Sequence, residues 1–190
     1  MEEKKLKRCH WAENVVDVYR KYHDEEWGVP VHDDHKLFEM LLLESFQAGL
    51  SWLTILKKRE AFREAFDNFD VHKVAAYDEK KIAELKENKG IIRNKLKIKA
   101  AIRNANIFID IQKEYGSFSA YLWHFTDNKV ILTDGKELIA STPLSVAISK
   151  DLYSRGMRFV GTVIIYSYLQ AVGVVNDHSE DCYLFHKKRD

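Results

Sequence analysis

Apolar residues along this 190-residue chain recur mostly at three- and four-residue intervals, and only two prolines and eight glycines interrupt them. That spacing predicts helices. Leu37, Met40, Leu41, Glu44 and Ala48 fall on one helical face. Ser51 starts a second helix through Lys58, and Asp78 a third through Asn88, each as an N-cap. A longer helix runs from Asn94 to Lys113, with Leu96, Ala100, Ile107 and Ile111 on its buried side. Thr142-Pro143 reads as a cap followed by the first helical position, and the apolar run Val160–Val172 predicts the central helix. Val130–Leu132 suits a short strand with no partner nearby. The expectation is an all-α, compact fold, a single domain over residues 1–190 tied near its ends.

Glu44 breaks the apolar stripe it sits on. A carboxylate on a core-facing position loses its hydration and has to be paired, protonated or functional. Burial against an arginine or lysine is the plain explanation. The neighbourhood suggests another, because Trp11, Tyr19, Tyr22, Trp27, Phe46 and Trp52 lie within a short stretch of sequence. Electron-rich rings attract cations through their faces, and a carboxylate accepts hydrogen bonds from a polar edge. Together they suit a flat, positively charged guest such as a purine alkylated on a ring nitrogen.

The two cysteines lie at opposite ends of the chain, and each has a histidine at ligand spacing: Cys9 with His23, and His178 with Cys182. Two thiolates and two imidazoles fill the four positions of a tetrahedral zinc ion and leave none open for water, the mark of a structural site. If His178–Cys182 is helical, its i, i+4 spacing puts both side chains on one face. A Cys9–Cys182 disulfide is the alternative and needs an oxidising compartment. The charged opening Met1–Arg8 is no apolar secretory segment, and no apolar run is long enough to span a bilayer, so a cytoplasmic protein with reduced thiols is expected.

The net charge of +1 does not point to nucleic acid, but its distribution does. Seven basic residues stand against one acid between Lys86 and Arg103. Such a stripe is either a phosphate footprint or a solvated helix face.

Longer motifs narrow these readings. Tyr22-His23-Asp24-Glu25-Glu26-Trp27-Gly28-Val29-Pro30, Leu37-Phe38-Glu39-Met40, Leu43-Glu44-Ser45-Phe46-Gln47-Ala48-Gly49-Leu50-Ser51-Trp52, Phe159-Val160-Gly161-Thr162 and Val175-Asn176-Asp177-His178 resemble, in order, the DNA-3-methyladenine glycosylase I family. The resemblance runs from about Cys9 to Cys182. It implies a monofunctional base-excision enzyme of the helix-hairpin-helix glycosylase superfamily. Such an enzyme flips alkylated bases, chiefly 3-methyladenine, out of double-stranded DNA and hydrolyses their N-glycosidic bonds; a monomer is expected.

Residue by residue, the resemblance implies one structural Zn2+ on Cys9, His23, His178 and Cys182. Glu44 matches the pocket carboxylate and candidate catalytic group, Trp52 the ring that stacks on the base, Tyr22 a pocket hydroxyl, and Trp11, Tyr19 and Trp27 the surrounding wall. Gln47, Gly49 and Leu50 match a loop near the gap left in the DNA. The hairpin element covers about residues 78–113. There Gly90 and the following helix start would meet a phosphate, with Lys95, Lys97 and Arg103 strengthening the contact. No lysine stands at a matching hairpin position for Schiff-base chemistry, which favours base release without strand cleavage. A zinc-clipped module that binds alkylated DNA without turnover is the alternative.

Overall fold

Asp33 caps helix α2 (Asp34–Gln47) by accepting a hydrogen bond from the Lys36 amide at 2.8 Å, and the next turns of this helix disappear into the protein. In the computed structural model, which describes residues 6–187, every side chain of α2 from Leu37 to Phe46 is buried. Helices α3 (Trp52–Ala65), α6 (Lys95–Tyr115), α7 (Phe118–His124) and α9 (Thr162–Ala171) pack around it. α2 is therefore the central helix, a place expected of the run through Val160–Val172. α9 keeps one side open, with Val163 52% exposed. Glu39 and Glu44 lower the apparent apolarity of α2, and that is why the sequence favours the other run.

The remaining described elements are α1 (Asp17–Glu25), α4 (Val71–Ala75), α5 (Glu79–Glu87), α8 (Pro143–Ser154) and two short strands. The expected caps are in place. Ser51, Asp78 and Thr142 each accept hydrogen bonds from amides of the first turn that follows, and Asn94, expected only as a helix start, does the same. α3 runs well past Lys58, because Phe62 and Ala65 continue its buried face. Ile131–Leu132 does find a partner. It pairs in parallel with Val175–Asn176, more than forty residues on, beyond the reach of any local pattern.

The first turn of α6 reverses its expected faces. Leu96 is 70% exposed, whereas Lys97 is buried. α5 and α6 pack together across the connection from Asn88 to Asn94. Gly90 in that connection has no room for a side chain, since an added Cβ would lie 2.9 Å from the Cβ of Ala61 on α3. Lys58 of α3 also donates to the carbonyls of Lys89 and Gly90 at 3.0 and 3.1 Å. This connection is thereby held on the body of the protein.

One buried ionic cluster joins α1 to the centre. Arg59 on α3 donates to Glu39 of α2 at 2.7 Å and to Glu26, just past α1, at 2.9 Å. Arg63 and Lys36 complete the charge balance at 2.8 Å from Glu39 and 3.2 Å from Glu26. Burial alone would raise both carboxyls, but Arg59 and Lys36 outweigh it and hold them below the usual range. Carboxyls depressed in the folded state contribute stability above their unfolded pKa and lose it as pH falls. Arg59→Met leaves Glu39 buried with fewer partners. It is expected to cost about 3 kcal/mol at neutral pH, measured by urea unfolding, with the deficit shrinking below pH ~4 as the carboxyls protonate.

Candidate functional site

Glu44 stands three residues from the end of α2, and only 3% of it is exposed. Its Oε2 atom has no hydrogen-bond donor among the described residues. Burial pushes its carboxyl up to about 8. The arginine-pairing explanation fails here, since the buried arginine of this region, Arg59, is committed to Glu26 and Glu39. Glu44 opens instead onto a cleft of about 430 Å³ with a wall of aromatic side chains.

Three stretches of chain supply that wall. Trp11 comes from the segment before α1, Tyr19 and Tyr22 from α1, Trp27 from the turn after it, and Trp52 from the first position of α3. Trp11 is the hub, with ring centroids 5.1 Å from Tyr19, 6.5 Å from Tyr22 and 5.0 Å from Trp27. Tyr22 lies 5.5 Å from Trp52 and closes the circle. The buried Nε1 of Trp52 likewise has no partner among the described residues. Burial, and then the neighbouring Glu44 carboxyl, raise the phenol of Tyr22 well above its ordinary value and that of Tyr19 to a lesser degree. Both hydroxyls therefore stay protonated donors.

Gln47 lines the same cleft. Its carbonyl accepts from the Leu50 amide at 2.7 Å, closing a four-residue turn with Gly49 at φ +79° and Leu50 exposed. A left-handed residue at the third position belongs to a type II turn, which is the need for glycine there. The cleft also has a side that sequence reasoning missed. Residues 135–139, together with Ser167, Gln170 and Asp177, line it. Pairing of the short strands brings 135–139 alongside the segment after Asn176, so no local signal could have placed them. Asp177 is fully engaged, accepting from Thr133, Tyr166 and Gln170 at 2.5, 3.0 and 2.6 Å.

Directly behind Trp11 and Trp27, Cys9, His23, His178 and Cys182 gather with their ligand atoms within 4.8 Å of one another, all four buried. This cluster could hold a metal ion. His178–Cys182 is not helical; a turn closes the stretch, and Cys182 reaches the cluster because its amide donates to the Ser179 carbonyl at 2.8 Å. Both cysteines are free thiols. The hydrogen bond between them, and burial, raise Cys9, while the same bond with help from His178 and His23 holds Cys182 low against its burial. His23 places its Nδ1 2.8 Å from Asp24, which is itself gripped by Arg8. That outer carboxylate fixes the ring with Nε2 toward the cluster. The same histidines touch the wall: Trp11 lies 5.1 Å from His23 and Trp27 lies 4.6 Å from His178, ring centroid to centroid.

The hairpin residues stand apart from the cleft lining. Lys95 is exposed at the start of α6. Lys97 departs from the expectation of a phosphate contact, because its ammonium donates inward to the carbonyls of Phe46 and Ala48 at 2.8 and 2.6 Å.

Residues 11–186 match the family model described as methyladenine glycosylase. The chain is 45% identical over 180 residues to DNA-3-methyladenine glycosylase 1 of Escherichia coli K12, covering 93% of this chain and 96% of that protein. It is 42% identical over 178 residues to DNA-3-methyladenine glycosylase of Haemophilus influenzae Rd, covering 92% and 96%. Among solved structures, it superimposes on 3-methyladenine DNA glycosylase I from Staphylococcus aureus, determined for 3-methyladenine recognition, with a TM-score of 0.91 and 36% identity over 97% of this chain and 99% of that one. This chain belongs to the methyladenine glycosylase family.

Proposed function

We propose that the chain is a base-excision repair glycosylase that hydrolyses the N-glycosidic bond of 3-methyladenine in double-stranded DNA, and that the aromatic cleft receives the flipped base. The observation that carries the reading is Glu44, buried, with an Oε2 that has no donor among the described residues, beside a wall of tryptophans and tyrosines. A purine methylated on N3 and still joined to deoxyribose is cationic. It is attracted by the ring faces, and its amino edge donates to the carboxylate. Trp52 stacks on it, Tyr22 offers a hydroxyl, and Trp11, Tyr19 and Trp27 exclude water around it.

The positive charge already weakens the bond to the sugar. On cleavage the bonding electron pair returns to the base, and C1′ takes the hydroxyl of a water molecule whose remaining proton goes to solvent. The protein's share is extraction of the base, costing a few kcal/mol of unstacking, and electrostatic support of the separating charges by ionised Glu44. Glu44 is protonated in much of the free protein at neutral pH, with its carboxyl near 8. Entry of the cation favours its ionisation.

On the DNA side, the Gln47–Leu50 turn enters the gap left by the base, and the α5–α6 element acts as a helix-hairpin-helix phosphate grip. The exposed start of α6, with Lys95, would meet the backbone, while the Gly90 amide is held by Asn88 Oδ1 at 2.8 Å and shapes the connection. Zn2+ suits the Cys9, His23, His178 and Cys182 cluster. A tetrahedral zinc ion bonded to sulfur and nitrogen separates them by about 3.6 Å. The cluster has Cys9 and Cys182 sulfurs at 3.5 and 3.6 Å from His178 Nδ1, and Cys182 at 3.6 Å from His23 Nε2. Bound zinc would serve as a structural clip, holding the wall residues through the rings of His23 and His178.

Chromatographic detection of free 3-methyladenine released from methylated duplex DNA tests the activity. Wild type is expected to release it, and Glu44→Gln to do so about 100-fold more slowly. DNA binding without any release would support the non-catalytic module instead. Because ionised Glu44 is required, wild-type kcat/KM should rise with pH, reaching half its limit near 8 and levelling above that, a slope that Glu44→Gln abolishes.

The same substitution should stabilise the fold. A folded-state pKa raised from 4.5 to about 8 means that the native protein binds the proton more tightly than the unfolded chain. Wild-type stability thus falls by up to ~1.4 kcal/mol per pH unit across that window and levels off above it. Thermal melts of the two proteins from pH 5 to pH 9 should diverge accordingly. Elemental analysis should find one zinc per chain, and Cys182→Ser should lose both the metal and thermal stability.

A further inference from the structure

The charge pattern counts Lys97 among the cations of the hairpin, yet the structure turns it inward. Its ammonium is buried and donates to the carbonyls of Phe46 and Ala48 at 2.8 and 2.6 Å. The ring of Phe159 lies 5.8 Å from it, on a residue held at φ +57°. Burial lowers its pKa and no carboxylate offsets that effect. An ammonium taken out of water without a counter-ion is costly. Two carbonyls that a methionine would leave unsatisfied are a poor reason to keep it, unless the position of those carbonyls matters.

Their position is informative. Phe46 ends the buried run of α2, two residues beyond Glu44. Ala48 and Gly49 are the central residues of the Gln47–Leu50 turn, and Ala48 at φ −45°, ψ 116° with Gly49 at φ +79° defines type II. The two common forms of such a turn differ by a flip of the central peptide. The Ala48 carbonyl belongs to that peptide, and Lys97 holds it. Lys97 itself sits in the first turn of α6, directly after the hairpin, where Asn94 caps its amide at 3.1 Å.

We propose that Lys97 is a positioning residue: from the start of α6 it fixes the peptide plane of the Gln47–Leu50 turn, and so couples the hairpin's grip on DNA to the presentation of Gln47 and Leu50 beside the base cleft. This rests on the glycosylase reading above. It assigns Lys97 no contact with phosphate or base. A loosened turn leaves the cleft able to take the free base but fails to hold the duplex open while the base is extracted.

The experiment compares wild type, Lys97→Met, Lys95→Ala, Leu50→Ala and the Lys97→Met/Leu50→Ala double variant. Lys97→Met is expected to slow excision from methylated duplex by ~100-fold, the scale of a small misplacement. Its affinity for free 3-methyladenine, followed by tryptophan fluorescence, should match wild type. The salt dependence of its DNA binding should also match wild type, whereas Lys95→Ala should lower that slope. In the excision rate Lys97→Met and Leu50→Ala should be non-additive, because they act through one turn.

Several results would overturn the assignment. A salt slope reduced in Lys97→Met as in Lys95→Ala would make Lys97 a phosphate contact. Free-base affinity lost in parallel with excision would make it a packing residue of the cleft. Unchanged excision in Lys97→Met, with wild type active, would leave it no role. A wild type that releases no base would instead defeat the underlying glycosylase reading.

Discussion

Glu44 is carried into the interior by the helix around which α3, α6, α7 and α9 pack, and its Oε2 atom receives no hydrogen bond from the described residues there. An ionised carboxylate in such a place is unfavourable by several kcal/mol until something cationic or proton-donating meets it. The rest of the cleft follows from that constraint. Arginines near α2 are engaged by Glu26 and Glu39, so none neutralises Glu44 from behind. The groups that do face it, Tyr19, Tyr22 and the tryptophans, are polarisable rings and protonated hydroxyls. A neutral purine gains little from such a floor. A purine carrying a positive charge relieves the desolvated carboxylate, and in the proposed function this is how a small cleft selects damaged bases.

Precision in that wall is supplied from two sides. The Cys9, His23, His178 and Cys182 cluster presses its imidazoles against Trp11 and Trp27. The Arg59 cluster fastens the end of α1, and with it Trp27, to α2 and α3. Tyr22, His23 and Trp27 lie within six residues of one another and are therefore anchored both by the candidate metal cluster and by the buried ion pairs. Both limit how far the rings can drift from Glu44.

Much of this was legible in the chain itself. Caps at Ser51, Asp78 and Thr142 follow from local chemistry that tertiary packing left alone. Glu44 was visible as a carboxylate on an apolar stripe, and the two Cys/His pairs by their spacing. The failures share a cause, which is that the deciding partner lies far off in sequence. Ile131–Leu132 pairs with Val175–Asn176, and with that pairing residues 135–139 arrive at the cleft. Lys97 looks like any surface lysine until the end of α2 arrives beneath it. His178 and Cys182 meet through turns, where helical periodicity has nothing to say. α2 was passed over as the central helix because its buried Glu39 is neutralised from α3, twenty residues on.

The central claim is that Glu44 is held as a strained, unpaired carboxyl until the base arrives. Site-specific carbon-13 labelling of Glu44 and titration of its carboxyl signal, with and without free 3-methyladenine, tests this directly. The account predicts titration near 8 in the free protein, and a clear fall in that pKa when the amino edge of the base donates to the carboxylate. A Glu44 that titrates in the ordinary carboxylate range in the free protein, or whose titration ignores the base, would contradict it.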